Sequence, residues 1–355
     1  MEPIRVALAG AGNCAWSFSQ FTALAQANPE ARLPGLMSHT VGGYRLADVT
    51  IVAAFDVDAA KVGLPLAEAF TAPAISATAF TALGADRDAP VLAAPLLDGL
   101  EGPLGAVVRP ADAARDATPE HVAKALVEHD VDVLVIALPT GSSRAIRMFA
   151  HAALAAGVAV VNCTPEELAR DGALRRRFAD AGVVLLGDDL RSHFGATTLH
   201  TALIELLLSR GVVLGDTYQL NIGGNTDFLN LADARRSAGK FASKANALRA
   251  AGMTHVDGVA GPTGHIGHLA DTKVCFASIK ATSVLGSGIE IDLKLTVEDS
   301  PNAAGVIANA VRVGKTAADR GLSGVLDDVT ALLFKSPPHG LPESEARAAF
   351  LGFAS

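Results

Sequence analysis

The sequence predicts an α/β protein: a doubly wound parallel sheet with a second, mainly antiparallel α+β domain. Three observations carry that expectation. Short apolar, β-branched runs alternate with helical patterns through the first half of the chain. After about residue 200 the runs instead alternate apolar with polar side chains, as strands with one wet face do. Half of the 355 residues are hydrophobic and only 19% are charged, which excludes disorder and supplies enough apolar surface for two packed units.

In chain order, IRVALA (4–9) is a buried strand stopped by glycine, and a helix follows from about Cys14. VTIVAAF (49–55) is a second strand ending at Asp56. From about 70 to 115 the chain is rich in Ala, Pro and Gly and reads as a long, loosely structured excursion with one short strand, GAVVR. ATPEHVAKALVEHD begins a helix, with Thr118 as its cap and Pro119 at the first helical position. A strand over 131–138, a helix over 143–156, strand VAVVNC, another helix and a strand over 183–187 complete the alternation. TYQLNIGG, KVCFASIKATS and EIDLKLTVED are the strands of the second domain. SPNAAGVIANAVRVGKTAADRG is then a long helix, Pro301 near its start and Gly321 at its end, that returns the chain to the first domain.

The formal net charge of -8 argues against a nucleic-acid surface but allows a phosphate-bearing small molecule, whose pocket needs only a few local cations. No apolar run reaches the roughly 18–20 residues of a membrane span. Glycines and Asn13 interrupt the apolar start, which reads as strand and turn rather than as a signal peptide. Cys14, Cys163 and Cys275 are odd in number and far apart, which argues against a disulfide framework and points to a reducing cytoplasm.

Gly10-Ala11-Gly12-Asn13-Cys14-Ala15 lies between a strand and a helix, where glycines let backbone N–H groups approach a pyrophosphate. Asp56, ending the next strand, is placed to accept the ribose hydroxyls of NAD and to repel the 2′-phosphate of NADP. Arg5 and Arg45, nearby in sequence, temper that preference. The distance from glycines to acid is about twice the usual ~20 residues, so a segment is inserted between them. Lys240 and Lys244 are four apart and share one helical face, either solvated or holding an anion. Lys335 follows the apolar ALLF; a desolvated lysine among cations loses its proton readily and can act as a base. Asn221-Ile222-Gly223-Gly224-Asn225-Thr226-Asp227 is a turn or a site, and Glu298-Asp299-Ser300 caps the returning helix. Gly187-Asp188-Asp189-Leu190-Arg191-Ser192 falls at the carboxyl end of a strand, where open sheets bind ligands. His265 and His268 lack a third partner, so no metal site is expected.

Taken together, VALAGAGNCA, LPGLMSH, VTIVAAFDVDAAKVG, VDVLVIALPTGS, GDDLRSHFGAT, QLNIGGNTDFLN, VEDSPNAAGVI, DRG and FKSPP resemble the myo-inositol-1-phosphate (inositol-3-phosphate) synthase family in its shorter actinobacterial form, from residue 4 to 338. The resemblance implies a Rossmann-type domain over 1–200 plus 310–355, a catalytic and oligomerisation domain over 201–309, and a homotetramer. It implies oxidation of carbon 5 of open-chain glucose 6-phosphate by NAD, deprotonation at carbon 6, aldol closure onto carbon 1, and reduction by the same cofactor. Lys240, Lys244, Lys273 and Lys335 fall on the family's active-site lysines, with Lys273 and Lys335 steadying the enolate or moving its proton and Lys240 and Lys244 holding phosphate or oxyanion. Gly10, Gly12, Asn13, Cys14, Asp56, Ser192, Asp227 and Asp299 fall on cofactor-contacting positions.

Four departures stand out: Arg191 for a lysine, ADARRSAG for a Glu-rich helix, Thr272 for an arginine beside Lys273, and VNCTPEE for VNALPVF. They touch the shell around the sugar, and leave a second substrate open: fructose 6-phosphate, closing to a five-membered cyclitol phosphate. The competing class is a non-catalytic, NAD-sensing relative, which has no need of the lysines.

Overall fold

The computed structural model describes residues 2–253 and 260–355. β1 (Ile4–Ala9) leads into α1 (Asn13–Ala27), followed by β2 (Val49–Asp56), the one-turn α2 (Leu66–Ala69) and β3 (Val91–Ala93). Then come α3 (Asp112–Asp116), α4 (Pro119–Glu128), β4 (Val133–Ile136), α5 (Ser143–Ala156), β5 (Ala159–Asn162), α6 (Gly172–Asp180) and β6 (Leu185–Leu186). These strands form one parallel sheet in the order β3-β2-β1-β4-β5-β6. Strand order reverses between β1 and β4, and the carboxyl ends there open into a crevice.

The strands read as continuous apolar runs because both faces are covered. Val122, Ile146, Phe149 and Phe178 from the α4–α6 side pack on one face. Phe18 of α1 packs on the other, together with Val306, Ile307 and Val311 of the returning helix.

The second sheet begins after α7 (Ala196–Ser209), with β7 (Val213–Gly223), α8 (Thr226–Asn230), α9 (Ala234–Ala250), β8 (Ala260–His265), β9 (Thr272–Thr282) and β10 (Gly288–Glu298). Its order is β10-β9-β7-β8, with β9 antiparallel to both β7 and β10. β8 pairs parallel to β7; its sequence, AGPTGH, has almost no strand-forming residue and gave no signal. Ile204 of α7 and Leu248 of α9 cover one face against Ile279. The other face leaves Tyr218 and Phe276 exposed.

α10 (Asp299–Asp319), α11 (Asp327–Leu333) and α12 (Glu343–Ala354) return to the first sheet. Arg312 of α10, fully buried, donates to the carbonyls of Ser38 and His39 at 3.2 and 3.0 Å. The segment inserted between the glycines and Asp56 is thereby fixed to α10.

The strand expected at GAVVR does not form. Gly102–Ala106 is a 3₁₀ turn with Pro103 near its start and Gly102 at φ +76°, and the edge of β2 is taken by β3 instead. The surrounding excursion is also more ordered than a loose loop, holding β3 and α3. No helix of the described residues is long and apolar enough to cross a membrane.

Candidate active site

The turn after β1 is built from backbone. Gly10 sits at φ +98°, and a Cβ there would lie 2.8 Å from the carbonyl oxygen of Ala137, so only glycine fits. A Cβ on Gly12 would meet nothing within 4 Å, which leaves the N-terminus of α1 open toward the cavity. Asp56 accepts from the N–H groups of Ala11, Val57 and Asp58 at 3.0, 2.7 and 3.0 Å, and from Lys61 Nζ at 3.1 Å. Asn13 Oδ1 accepts from Ser76 and Ala77 N–H at 2.8 and 3.0 Å, drawing the 70s segment over the turn. A glycine cradle, an open helix N-terminus and a carboxylate at the next strand end fit the pyrophosphate and ribose of a dinucleotide.

Arg5 and Arg45 do not reach Asp56: the first donates to His129 and Asp130 carbonyls, and the second pairs with Glu30 and Asp48. The cation at that carboxylate is Lys61. Burial, then the nearby Asp299, Asp271 and Asp227, pushes the Cys14 thiol up to about 12, so it packs rather than reacts.

The lysines enter the same cavity, of ≈ 290 Å³, from three segments. Lys240 and Lys244 come from α9, Lys273 from β9 and Lys335 from the turn after α11. Asp189, fully buried, accepts from Lys240 Nζ and Lys335 Nζ, both at 3.1 Å, and from Ser243 Oγ. Burial alone would push Asp189 up, but the two ammonium groups outweigh it and hold it well below the usual carboxylate range. The same balance raises Lys240, where burial is overcome by Asp189 and Asp227. Lys335 goes the other way: burial, with Lys240 and Lys273 close by, brings its ammonium down to about 8 despite Asp189. Lys273 pairs with Asp299, whose carboxyl it holds down against burial. Lys244 donates to Gln219 Oε1 at 2.9 Å, and burial with Lys335 and Lys273 lowers it well below the ordinary lysine value.

Gly10, Gly12, Asn13, Cys14, Asp56, Ser192, Asp227, Asp299 and the four lysines all line this one cavity. The QLNIGGNTDF motif is more than a turn: Asn225 caps α8, and a Cβ on Gly223 would lie 2.3 Å from the Phe228 ring. Asp271 accepts from Asn225 Nδ2, Ser300 Oγ and Ser300 N–H, locking the starts of α8 and α10 together beside Asp227 and Asp299.

Neighbouring Asp188 has a different job. It accepts from Asn162 Nδ2 and the N–H groups of Ala169 and Arg170, and burial pushes it up to about 7. Arg191 lies off the cavity wall, 2.8 Å from Thr201 Oγ1 and 2.7 Å from Glu343. Glu166 of the altered TPEE segment turns to Arg147 at 2.7 Å. His265 Nε2 faces the Gly224 carbonyl at 3.1 Å, and among the described residues no group of three His, Cys, Asp or Glu side chains could hold a metal.

Sequence reasoning named Ser192, Asn221 and the lysines, but gave no role to the start of α7 or to Arg236. A side lobe of ≈ 30 Å³ is walled by Gly195–Thr198 at the start of α7, by Ser192 and Asn221, and by Lys244, Lys273 and Lys335. Asn221 is buried with its Oδ1 unpartnered. Arg236, one turn before Lys240 on α9, donates to the Thr140 and Asp98 carbonyls and ties the lysine helix to the first sheet's loops. Its i, i+4 spacing with Lys240 and Lys244 was the available signal.

The family model described as myo-inositol-1-phosphate synthase matches residues 195–300. The inositol-3-phosphate synthase of Mycolicibacterium smegmatis is 41% identical over 353 residues, 97% of this chain and 96% of that protein. That of Corynebacterium glutamicum is 40% identical with the same coverage. Among solved structures, Ari2 is 35% identical at a TM-score of 0.80, covering 99% of this chain and 98% of its own. A myo-inositol-1-phosphate synthase-related protein of Thermotoga maritima shares the fold at 22% identity and a TM-score of 0.80, over 99% of this chain and 98% of its own.

Proposed function

The chain belongs to the myo-inositol-1-phosphate synthase family, and from that premise we propose that it is an NAD-dependent sugar-phosphate cyclase, converting D-glucose 6-phosphate to 1L-myo-inositol 1-phosphate. The observation that carries the proposal is that the glycine cradle and the lysine cluster open into a single cavity. A redox cofactor and an enolate-stabilising cluster are thereby brought to one substrate.

Gly10, Gly12 and the start of α1 receive the pyrophosphate, and Asp56 takes the ribose hydroxyls in exchange for its present N–H partners. Ser192, Asp227 and Asp299 complete the cofactor contacts. Bound there, NAD supplies the hydride acceptor for the carbon-5 hydroxyl and, after ring closure, the hydride that restores it.

The substrate phosphate sits in the side lobe, where the N-terminus of α7 and the ammonium groups of Lys273 and Lys335 favour an anion. Lys240 does not wall that lobe, which favours the oxyanion over the phosphate for this lysine. Lys273 and Lys335 steady the developing enolate oxygen. Asn221 Oδ1, buried and unpartnered, accepts a sugar hydroxyl. Residues 1–200 plus 310–355 hold most of the dinucleotide, and 201–309 contribute Asp227, Asp299 and three of the lysines. The open face carrying Tyr218 and Phe276 is the surface for a homotetramer. The free cysteines suit the cytoplasm.

Thr272, standing where the family pattern has an arginine, favours one second reading. With fructose 6-phosphate the electrophile is carbon 2, and the same nucleophile closes a five-membered ring. Arg191, turned to Glu343, lends that reading no support. Incubating the protein and NAD with each sugar phosphate separately, and identifying the ring by NMR, decides between them. Inositol phosphate from glucose 6-phosphate is the expected result; a cyclopentane product from fructose 6-phosphate alone overturns it.

A further inference from the structure

Of the four clustered lysines, three are matched to carboxylates: Lys240 and Lys335 to Asp189, Lys273 to Asp299. Lys244 is matched to an amide, and no carboxylate of the described residues lies within 4 Å of its Nζ. That amide belongs to Gln219, buried on β7, and its orientation is fixed by its neighbours.

Gln219 Nε2 donates to the Ala196 carbonyl at 3.1 Å, which identifies the nitrogen end. The same nitrogen lies 3.3 Å from His200 Nδ1, which must then accept. His200 Nε2 consequently carries the proton and donates to Thr217 Oγ1 at 2.7 Å, and Thr217 donates to the Ser278 carbonyl at 2.6 Å. On the other side Asn221 Nδ2 donates to Gln219 Oε1 at 3.2 Å and to the Gly261 carbonyl at 3.0 Å. The chain of donors closes only with Gln219 Oε1 facing Lys244.

We propose that Gln219 is a positioning residue of the reaction, presenting a fixed, neutral acceptor that lets Lys244 exchange a proton with the substrate while the other three lysines stay paired to acids. The proposal rests on the cyclase reading. The carbon-6 C–H bond breaks, its electron pair enters the enolate, and Lys244 Nζ takes the proton. The enolate then forms the bond to carbon 1, and the alkoxide left there takes the proton back from Lys244.

The surroundings of Lys244 agree. The groups facing it are Lys240 on α9, Lys335 after α11, Lys273 and Cys275 on β9, and His200 on α7. Burial, with Lys244 nearby, brings His200 down to about 4, so it stays neutral and keeps the amide orientation across the working range. Burial and the three other lysines disfavour an ammonium at Lys244, and the carboxylates Asp189 and Asp299 are paired to those lysines.

The test is competitive labelling of Lys244 with acetic anhydride as a function of pH, read by peptide mass spectrometry, alongside the pH profile of kcat, in the parent and in Gln219→Glu. A carboxylate in place of the amide should raise the labelling midpoint of Lys244 by about 1–3 pH units, and the acid limb of kcat should move the same way. Dinucleotide affinity should not change. A midpoint equal to the parent's overturns the proposal, whatever the activity. If Gln219→Glu does not fold, Gln219→Met decides: the account expects kcat to fall about tenfold or more with KM little changed, and parental kcat overturns it. Labelling needs no turnover, so its outcome stands apart from the cyclase reading, which fails only if the parent makes no cyclised product.

Discussion

The two walls of the cavity handle charge in opposite ways. At the β1–β2 edge a single carboxylate, Asp56, is held by three backbone N–H groups and one lysine, all within a short stretch of fold. On the facing wall three lysines, Lys240, Lys273 and Lys335, share two carboxylates, Asp189 and Asp299, while Lys244 rests on the Gln219 amide. The first wall is set mostly by backbone, so the loss of a side chain there should disturb it little. The second is an arrangement of buried charges, in which removing either carboxylate leaves a lysine uncompensated.

That difference is open to attack, and the largest effect belongs to Asp189. Asp189→Asn strips Lys240 and Lys335 of their common partner, and a urea melt should show a loss of about 3–5 kcal/mol. Unchanged stability would mean that the buried charges do not support one another. Next are Lys273→Ala and Lys335→Ala, each expected to lower turnover about 100–1000-fold with NAD affinity by calorimetry intact. Near-normal turnover in either would remove that lysine from the chemistry.

On the backbone wall the effects should be smaller and confined to the cofactor. Asp56→Ala should weaken NAD about 10- to 100-fold, yet leave turnover at saturating NAD largely preserved. A collapse of turnover that extra NAD cannot restore would contradict the division. Gly12→Ala is the mildest: its backbone is extended and its Cβ meets no protein atom, so stability should stay within about 0.5 kcal/mol. NAD affinity should still drop several-fold, because the new methyl enters the cofactor's space; unaltered affinity would place the dinucleotide elsewhere.

The same contrast explains what could be read in advance. GAGNCA and Asp56 each sit at the end of an apolar strand, and the alternation of strands and helices follows from burial on both faces; both were legible from residue patterns alone. The lysines are scattered over almost a hundred residues; the four-residue spacing joins only Lys240 and Lys244, and the grouping of all four came through resemblance. Gln219 was hidden because its role depends on partners from α7 and α9, although the every-second-residue pattern Thr217, Gln219, Asn221 marks one inward strand face. β8 was missed because AGPTGH pairs for want of alternatives on the edge of β7, not from propensity. GAVVR failed as a strand since Pro103 and flanking glycines made the turn cheaper.

The central claim is that both walls act on one substrate in one turnover, with the cofactor returned unchanged. Glucose 6-phosphate carrying deuterium at carbon 5 tests it most directly, incubated with the protein and a trace of NAD. The account predicts inositol phosphate that keeps the deuterium at the corresponding ring carbon, with many turnovers per NAD and no accumulation of NADH. Deuterium lost from the ring, or NADH rising in step with product, would contradict it.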